Sequence, residues 1–300
     1  MPELPDVTVY RERLQALLAG EVLHAVQLKS PVLLRSVMPP LHAVHGWKVV
    51  AVHRLGKRLV LELDGELFLV LHLMIAGRLR WHPPGKQIGG RVELAAFSFA
   101  KGTLVLTEAG TKKRASLYVV QGRPALAQLD RGGLEVEGAD AATFAARLRS
   151  ENRTLKRALT DPTLFSGIGN AYSDEILHAA RLSPVRLTSR PADDEVERLR
   201  LAIVQTLQFW TARLRAEVGD GFPDKVTAFR DGMAVHGRFR KPCPVCGKPV
   251  QRIRYADNEC NYCAECQCGG RLLADRGLSQ LLKKDWPKTL AELEERRAGS

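Results

Sequence analysis

Hydrophobic and polar residues follow two different patterns along this chain. Over residues 3–19, apolar side chains recur every three or four positions and Gly20 follows, which predicts an amphipathic helix. After it come short apolar runs rich in β-branched residues, as strands require. These strand candidates are 22–28, 48–52, 59–63, 67–71, 97–99, 103–106 and 117–120. Asp64-Gly65 lies between two of the runs and predicts a hairpin with a tight primed turn. Two strand-rich blocks behind one helix predict a β-sandwich.

The second half of the chain has helical periodicity instead. The helix candidates are 139–149, 154–160, 171–180, 193–218 and 278–284. The expected class is therefore α+β, with a β-sandwich flanked by helices followed by a helical region. We expect an N-terminal domain over 1–130, a linker and first helix over 131–150, a helical domain over 151–235, a cysteine-rich module over 236–270 and an extension over 271–300.

Composition narrows the class of protein. The chain has 300 residues, 45% of them hydrophobic, which excludes disorder over the whole chain. No apolar run approaches the roughly 18 residues of a membrane span, and the N-terminus MPELPD lacks the apolar region of a secretory signal. A formal net charge of +12 favours a polyanionic partner, most simply nucleic acid.

All six cysteines lie between residues 243 and 268. Four of them, Cys243, Cys246, Cys263 and Cys266, form two Cys-x2-Cys pairs separated by 16 residues. This spacing predicts one zinc ion held by four thiolates, with a hairpin between the two knuckles. Four thiolates complete the coordination shell, so the metal is expected to be structural. Cys260 and Cys268 are expected to be free thiols.

The N-terminus holds a candidate nucleophile. Proline follows Met1, which permits methionine removal and leaves a secondary amine on Pro2 beside Glu3. An α-amino group titrates near 7.7–8.0, so much more of it is unprotonated at neutral pH than of a lysine. Such an amine can attack an aldehyde-level carbon and form an iminium ion. By themselves, however, Pro2 and Glu3 are more typical of a helix start than of a catalytic site.

The combination of motifs resembles the formamidopyrimidine-DNA glycosylase and endonuclease VIII family of base-excision repair enzymes. The matching segments are PELPDV at 2–7, LGKRLVLEL at 55–63, LKRALTD at 155–161, GIGNAYSDEIL at 167–177, VHGR at 235–238 and the four-cysteine finger. They occur in the family's order and span nearly the whole chain. PELP, as opposed to PEGP, is closer to the formamidopyrimidine branch.

The resemblance implies a β-sandwich, a helix–two-turn–helix domain and a zinc finger, acting on damaged duplex DNA. It implies that Pro2 attacks C1′ of the damaged nucleotide, that Glu3 protonates the sugar ring oxygen, and that Lys57 assists as cation and proton donor. Base release is followed by β-elimination and usually by δ-elimination. The resemblance also implies that Asn170 binds a backbone phosphate with support from Lys156.

Several positions depart from the family pattern. Ile75, within His72-Leu73-Met74-Ile75-Ala76-Gly77, takes the place of a methionine that fills the space left by the flipped base. Lys113 takes the place of an arginine that contacts the opposite strand, and Ala115 replaces an aromatic wedge. Arg91 is matched to a phosphate-binding histidine. These replacements, together with Asn258 below, predict an unusual lesion range.

The finger tip departs as well. Asn258, within Asp257-Asn258-Glu259, takes the place of an arginine that grips phosphate and assists δ-elimination. An acidic tip repels the DNA backbone, so we expect weaker δ-elimination unless Arg252 or Arg254 substitutes.

We therefore expect a glycosylase and abasic-site lyase for oxidised purines. The alternatives are an endonuclease VIII-like enzyme for oxidised pyrimidines, abasic sites or other lesions, and a DNA-damage-binding protein that has lost the chemistry. The expected partner is damaged duplex DNA, with no membrane and no small-molecule cofactor. The protein is expected to be a cytoplasmic, nucleoid-associated monomer.

Overall fold

The computed structural model describes residues 1–255, 258–274 and 286–298. The predicted helix over 278–284 lies outside the described residues. The chain forms two compact units, one comprising Met1–Arg131 with Phe209–Ala228 and the other Gly132–Gln208 with Phe229–Ser300. None of the described helices is both long enough and apolar enough to cross a bilayer.

The first unit is a β-sandwich preceded by helix α1, Leu4–Leu18. Its strands are β1 Ala25–Leu28, β2 Val49–Leu55, β3 Arg58–Leu63, β4 Leu67–His72, β5 Gly77–His82, β6 Glu93–Ser98, β7 Thr103–Glu108 and β8 Ser116–Gln121. They form two antiparallel four-stranded sheets, in the orders β1-β6-β7-β5 and β2-β3-β4-β8. The predicted sandwich and α+β class are therefore confirmed.

The strand β4 is apolar without interruption from Leu67 to Leu71, and β3 from Leu59 to Leu61, because both faces of their sheet are covered. Leu61, Leu69 and Leu71 face the core shared with α1 and the other sheet. Their neighbours Val60, Phe68 and Val70 belong to a second cluster, completed by the short helix α2, Arg123–Ala127, which the sequence did not predict. A strand buried on both faces loses the alternation that marks a half-exposed strand.

Two details of this unit differ from expectation. The predicted hairpin is present, but Leu63 pairs with Leu67, so the turn has three residues instead of two. Gly65 and Glu66 both have positive φ there, at 73° and 57°. Strand β5 was not predicted, because its alternating pattern contains two arginines and a histidine. Pairing with β7 from Gly77 to His82 fixes it as a strand.

The second unit is mainly helical. Its helices are α3 Ala141–Arg149, α4 Leu155–Thr160, α5 Asn170–Ala179, the first part of α6 Asp193–Val218, α7 Ala264–Cys268 and α8 Leu290–Ala298. The predicted helices coincide with α3 to α6 within two residues. Asp140 begins α3 by accepting the Thr143 backbone N–H at 2.7 Å, as an N-cap residue does.

A hairpin of β9, Gln251–Arg254, and β10, Glu259–Tyr262, lies between the cysteine pairs. Its apolar face packs into a small core that includes Tyr262, Leu272 and Leu290. Cys260 is buried in the same core, and Cys268 packs against it. Leu290 N–H donates to Gly270 O at 2.8 Å, so the described part of the C-terminal extension is attached to the finger.

Candidate functional site

The amino terminus of the chain lies in a buried, charged environment. Pro2 is buried and Glu3 is 2% exposed. Glu3 precedes α1, and its backbone N–H donates to the Asp6 carboxylate at 2.9 Å, which fixes the start of the helix. Burial lowers the pKa of the Met1 amino group, and Arg78 and Lys57 lower it further while Glu3 and Asp6 oppose them. An amine at this end of the chain is therefore held within electrostatic range of Glu3 and Lys57.

Lys57 is presented by the tight turn between β2 and β3. Leu55 pairs with Arg58, and Gly56 supplies the positive φ of 60° that a two-residue hairpin turn requires. Burial lowers the pKa of Lys57, and the nearby Glu3 carboxylate partly offsets this effect. A lysine with a lowered pKa exchanges protons more readily near neutral pH, which suits a proton donor. The structure thus brings Glu3 and Lys57 to the amino terminus.

Two residues that the sequence did not single out also belong to this environment. Burial lowers the pKa of His72 to about 4, with Arg58 and Lys57 adding to the effect, so this imidazole is neutral at pH 7. Its buried Nε2 has no hydrogen-bond partner among the described residues. Arg78 follows on β5 and donates from Nε to Val226 O at 2.5 Å. The only sequence signal is that His72 begins the His72–Gly77 segment around Ile75 and that Arg78 directly follows it.

The predicted wedge, Ile75, lies at the turn between β4 and β5 and is 51% exposed. The turn is closed by the Gly77 N–H, which donates to Leu73 O at 2.9 Å. A Cβ at position 77 would overlap that carbonyl oxygen, so only glycine fits. Arg78 Nη1 donates to Ile75 O at 3.2 Å, which links the turn to the charged environment of the amino terminus.

The loop between β7 and β8 holds Lys113 and Ala115. Glu108 is buried, and its carboxylate accepts the backbone N–H groups of Arg114 and Ala115 at 3.0–3.2 Å. Ala115 packs into the sandwich core, so it presents no wedge. Lys113 is exposed, and its ammonium donates to the Glu108 carbonyl oxygen. The loop is therefore shaped from its base by Glu108, a residue that no sequence motif identified.

Arg91 lies in the turn that enters β6 and is exposed. The turn is held by Glu93, whose carboxylate accepts the Gly89 and Gly90 N–H groups at 2.7 and 2.8 Å. These bonds lower the pKa of Glu93 to about 2. No contact within the described residues links Arg91 to the amino terminus.

In the second unit, Lys156 links Asn170 to a buried carboxylate. Asp174 Oδ1 accepts the Lys156 ammonium at 2.5 Å, and the same ammonium donates to Asn170 O at 2.7 Å. Lys156 is only 8% exposed, so the structure places it behind the first turn of α5 and not on the surface. Asn170 is half-buried at the N-terminus of α5, and its Nδ2 donates to Glu259 O of β10 at 3.0 Å.

Asp174 and the adjacent Glu175 of α5 hold the VHGR segment and the finger. Asp174 Oδ2 is hydrogen-bonded to His236 Nδ1 at 2.8 Å and accepts the Asn261 N–H at 3.1 Å. Glu175 accepts the backbone N–H groups of Ala234, Val235 and His236 at 2.6–2.9 Å. Adjacent carboxylates on one helix therefore join α4, α5, the VHGR segment and β10 within this unit.

The four predicted ligand cysteines come together. The thiol sulfurs of Cys243, Cys246, Cys263 and Cys266 lie within 4.8 Å of one another. Sulfurs around a tetrahedral zinc ion with Zn–S bonds of about 2.3 Å are separated by about 3.8 Å. The Cys243–Cys266 and Cys246–Cys263 sulfur distances are 3.9 and 3.4 Å. His178 Nε2 lies 3.2 Å from the Cys243 sulfur and supports that side chain from α5.

Comparison with known proteins agrees with this arrangement. The family model for the formamidopyrimidine-DNA glycosylase N-terminal domain matches residues 1–113, and that for the formamidopyrimidine-DNA glycosylase H2TH domain matches residues 134–213. The formamidopyrimidine-DNA glycosylase of Desulfitobacterium hafniense is 30% identical over 280 residues, which cover 89% of this chain and 100% of the relative.

Solved structures show the same fold. The crystal structure of the MutM (Fpg) protein from Thermus thermophilus has a TM-score of 0.75 and 31% identity, and the match covers 89% of this chain and 98% of that one. The Lactococcus lactis Fpg in complex with DNA containing an abasic site has a TM-score of 0.77 at 23% identity over 89% and 99% of the chains, which is a likeness of fold. This chain therefore belongs to the formamidopyrimidine-DNA glycosylase family of DNA-repair glycosylases and abasic-site lyases.

Proposed function

We propose that this protein is a bifunctional DNA glycosylase and abasic-site lyase that acts through an N-terminal proline. The observation that supports this most strongly is the buried amino terminus, where Glu3, Lys57 and Arg78 act on the pKa of the chain's first amine. A lowered pKa leaves more of the amine unprotonated and nucleophilic at neutral pH. Removal of Met1 transfers the free amine to Pro2, next to Glu3.

In the proposed reaction, the Pro2 nitrogen attacks C1′ of an extruded nucleotide and the C1′–base bond breaks, with the electron pair leaving on the base. The proton that the Pro2 nitrogen loses balances the proton that the departing base gains. Glu3 protonates the ring oxygen O4′, the C1′–O4′ bond opens and a C1′ iminium forms. The iminium acidifies the C2′ proton, whose loss expels the 3′ phosphate in β-elimination. We assign the proton transfers of these steps to Lys57 and to the neutral His72, whose pKa Lys57 helps to lower.

We further propose that Cys243, Cys246, Cys263 and Cys266 hold one structural zinc ion, because the sulfur separations fit tetrahedral coordination. Bound zinc would stabilise the finger and take no part in the chemistry. The positive charge of +12 supports duplex DNA as the partner, acting in the nucleoid.

Oxidised purines are the proposed substrates, and oxidised pyrimidines or abasic sites are the second candidate. One observation favours the second candidate. Of the two predicted wedge positions, Ala115 is buried and Ile75 is exposed, so Ile75 alone of these two is available to fill the space left by the flipped base. A binding protein without chemistry is disfavoured, since binding alone requires neither a buried amine nor an adjacent lysine of lowered pKa.

Borohydride trapping on duplex DNA with an abasic site tests the reaction class. Wild-type protein should form a covalent complex, Pro2→Gly should lose most of it, and Pro5→Ala, the other buried proline near the start of α1, should retain it. Glu3→Gln should still trap pre-formed abasic sites but fail to release bases. Tight binding by wild-type protein without trapping refutes the proposal, as does a mature chain that keeps Met1.

A panel of lesion duplexes then separates the two substrate classes. Faster single-turnover cleavage at formamidopyrimidine and 8-oxoguanine supports the first. Faster cleavage at oxidised pyrimidines or abasic sites selects the second.

A further inference from the structure

The segment between VHGR and the first cysteine pair contains a strained arginine. Arg240 has φ at +68°, in the left-handed region that favours glycine. Its backbone N–H donates to Val250 O at 2.9 Å, and the Val250 N–H donates to Lys241 O at 2.9 Å. These two bonds to the base of the finger hold the conformation. Glycine would adopt it without strain. Strain alone does not assign Arg240 a role, so the surroundings of its side chain decide whether it has one.

The side chain of Arg240 is presented on an aromatic ring. Its guanidinium lies 5.2 Å from the centroid of Phe239, and the guanidinium of Arg252 lies 4.1 Å from the same centroid. Stacking fixes the plane of a guanidinium and leaves its edge N–H groups available to an anion. Phe239 is half-buried and Arg240 is exposed. We call this group the arginine stack, formed by Phe239, Arg240 and Arg252.

The charges of the arginine stack are only partly balanced within the protein. Arg252 lies 3.4 Å from the Glu259 carboxylate. In the part of the chain that the structure describes, Arg240 has no acidic partner. Two cations against one ring repel each other, and an external anion between their edges would relieve that repulsion.

The arginine stack is connected to the N-terminus of α5. Glu259, which pairs with Arg252 through its carboxylate, receives Asn170 Nδ2 on its carbonyl oxygen at 3.0 Å. The family resemblance implies that Asn170 binds a backbone phosphate, and only Glu259 lies between Asn170 and the arginine stack in this chain of contacts. The described finger-tip residue Asn258 is uncharged, and its carbonyl oxygen accepts the Tyr255 N–H at 2.7 Å.

We propose that Arg240, held by the arginine stack, contacts a backbone phosphate of duplex DNA from the base of the finger. This inference rests on the proposed DNA-binding function. It adds a phosphate contact at a site formed by residues 239, 240 and 252. The guanidinium edge of Arg240 donates to a phosphate oxygen, and Phe239 keeps that edge oriented.

The test is the salt dependence of binding to a short duplex with a non-cleavable abasic analogue. Each phosphate contact contributes about 0.9 to the slope of log K against log salt, so Arg240→Gly should reduce the slope by about 1 and affinity by roughly fivefold to twentyfold. Its melting temperature should be unchanged or higher, because glycine relieves the strain. Arg240→Lys should keep the slope and lose part of the affinity, and Phe239→Leu should behave similarly.

Arg181→Gly is the matched control. Arg181 is also exposed with a positive φ, at +53°, but it follows the C-terminal end of α5. Its replacement removes the same charge and relieves the same kind of strain, and it should leave the salt slope unchanged. A slope change equal to that of Arg240→Gly would indicate general charge loss and overturn the proposal.

The remaining outcomes separate this inference from the proposed function. An unchanged slope in Arg240→Gly, with or without a lower melting temperature, refutes the phosphate contact and assigns the stack a structural role. If polyglutamate competes for Arg240 as well as duplex DNA does, the surface fits an acidic protein partner, which also overturns the proposal. Failure of wild-type protein to trap abasic DNA refutes the proposed function instead, whatever the slope shows.

Discussion

Replacing Asp174 should destabilise the second unit severely, because this carboxylate balances a buried cation. The side chain of Asp174 is 0% exposed and that of Lys156 is 10% exposed, with 2.5 Å between their charged atoms. Removing one partner of a buried ion pair costs about 3–5 kcal/mol. Asp174→Ala also leaves the Asn261 N–H without its acceptor, at about 1–3 kcal/mol. The same structural relaxation around the vacated site reduces both costs, so they do not add in full, and we expect a total loss of about 5 kcal/mol.

Such a loss is comparable with the whole free energy of unfolding of many domains, which is about 5–15 kcal/mol. Urea denaturation followed by far-UV circular dichroism and by zinc release measures it. Lys156→Met with Asp174→Leu is the matched double variant, and it should recover most of the lost stability because it leaves no unpaired charge. A cost below about 1 kcal/mol for Asp174→Ala, or no recovery in the double variant, would refute the reasoning.

Three further predictions concern other parts of the chain. Lys57→Met should raise the melting temperature at pH 7 while abolishing cleavage, because burial lowers the pKa of Lys57 and its charged form therefore costs stability. The gain in stability should decline as the pH rises from the folded-state pKa of Lys57 to its unfolded-state pKa, and it should vanish above the unfolded-state pKa. Leu290→Ala should destabilise the finger by about 3 kcal/mol, because Leu290 is buried in the finger core. The loss should be seen as zinc release at a lower urea concentration. The control Leu201→Ala, on an exposed part of α6, should have no such effect. Cys243→Ser, or removal of the metal with a chelator, should lower the zinc content below one ion per chain and should also lower the affinity for DNA. An unchanged DNA affinity of the metal-free protein would contradict a structural role for the finger.

Much of the fold could be predicted from local sequence patterns, and what was missed depends on distant partners. The runs Leu59–Leu63 and Leu67–Leu71 predicted β3 and β4 because strands buried on both faces are nearly all apolar. Strand β5 was missed because its polar residues hide the period of two, and only pairing with β7 fixes it.

The candidate site shows the same division. Pro2, Glu3 and Lys57 were identified through motifs, and their proximity follows from the fold. Arg78 was missed because its acceptor Val226 is 148 positions away in the sequence. Lys156 carries the family motif, but the sequence could not reveal that Asp174 holds its ammonium in the interior. Its role in DNA binding stays a prediction.

The packing of the C-terminal extension against the finger has a consequence for biosynthesis. The finger core includes Leu290, which follows Cys266, the last of the four clustered cysteines, by a long stretch of chain. A nascent chain that has already exposed all four cysteines outside the ribosome therefore still lacks part of the core behind the cysteine cluster. Ribosome pausing between these two points would yield a chain with its cysteine cluster complete while Tyr262 and Leu272 remain open to solvent and to proteases.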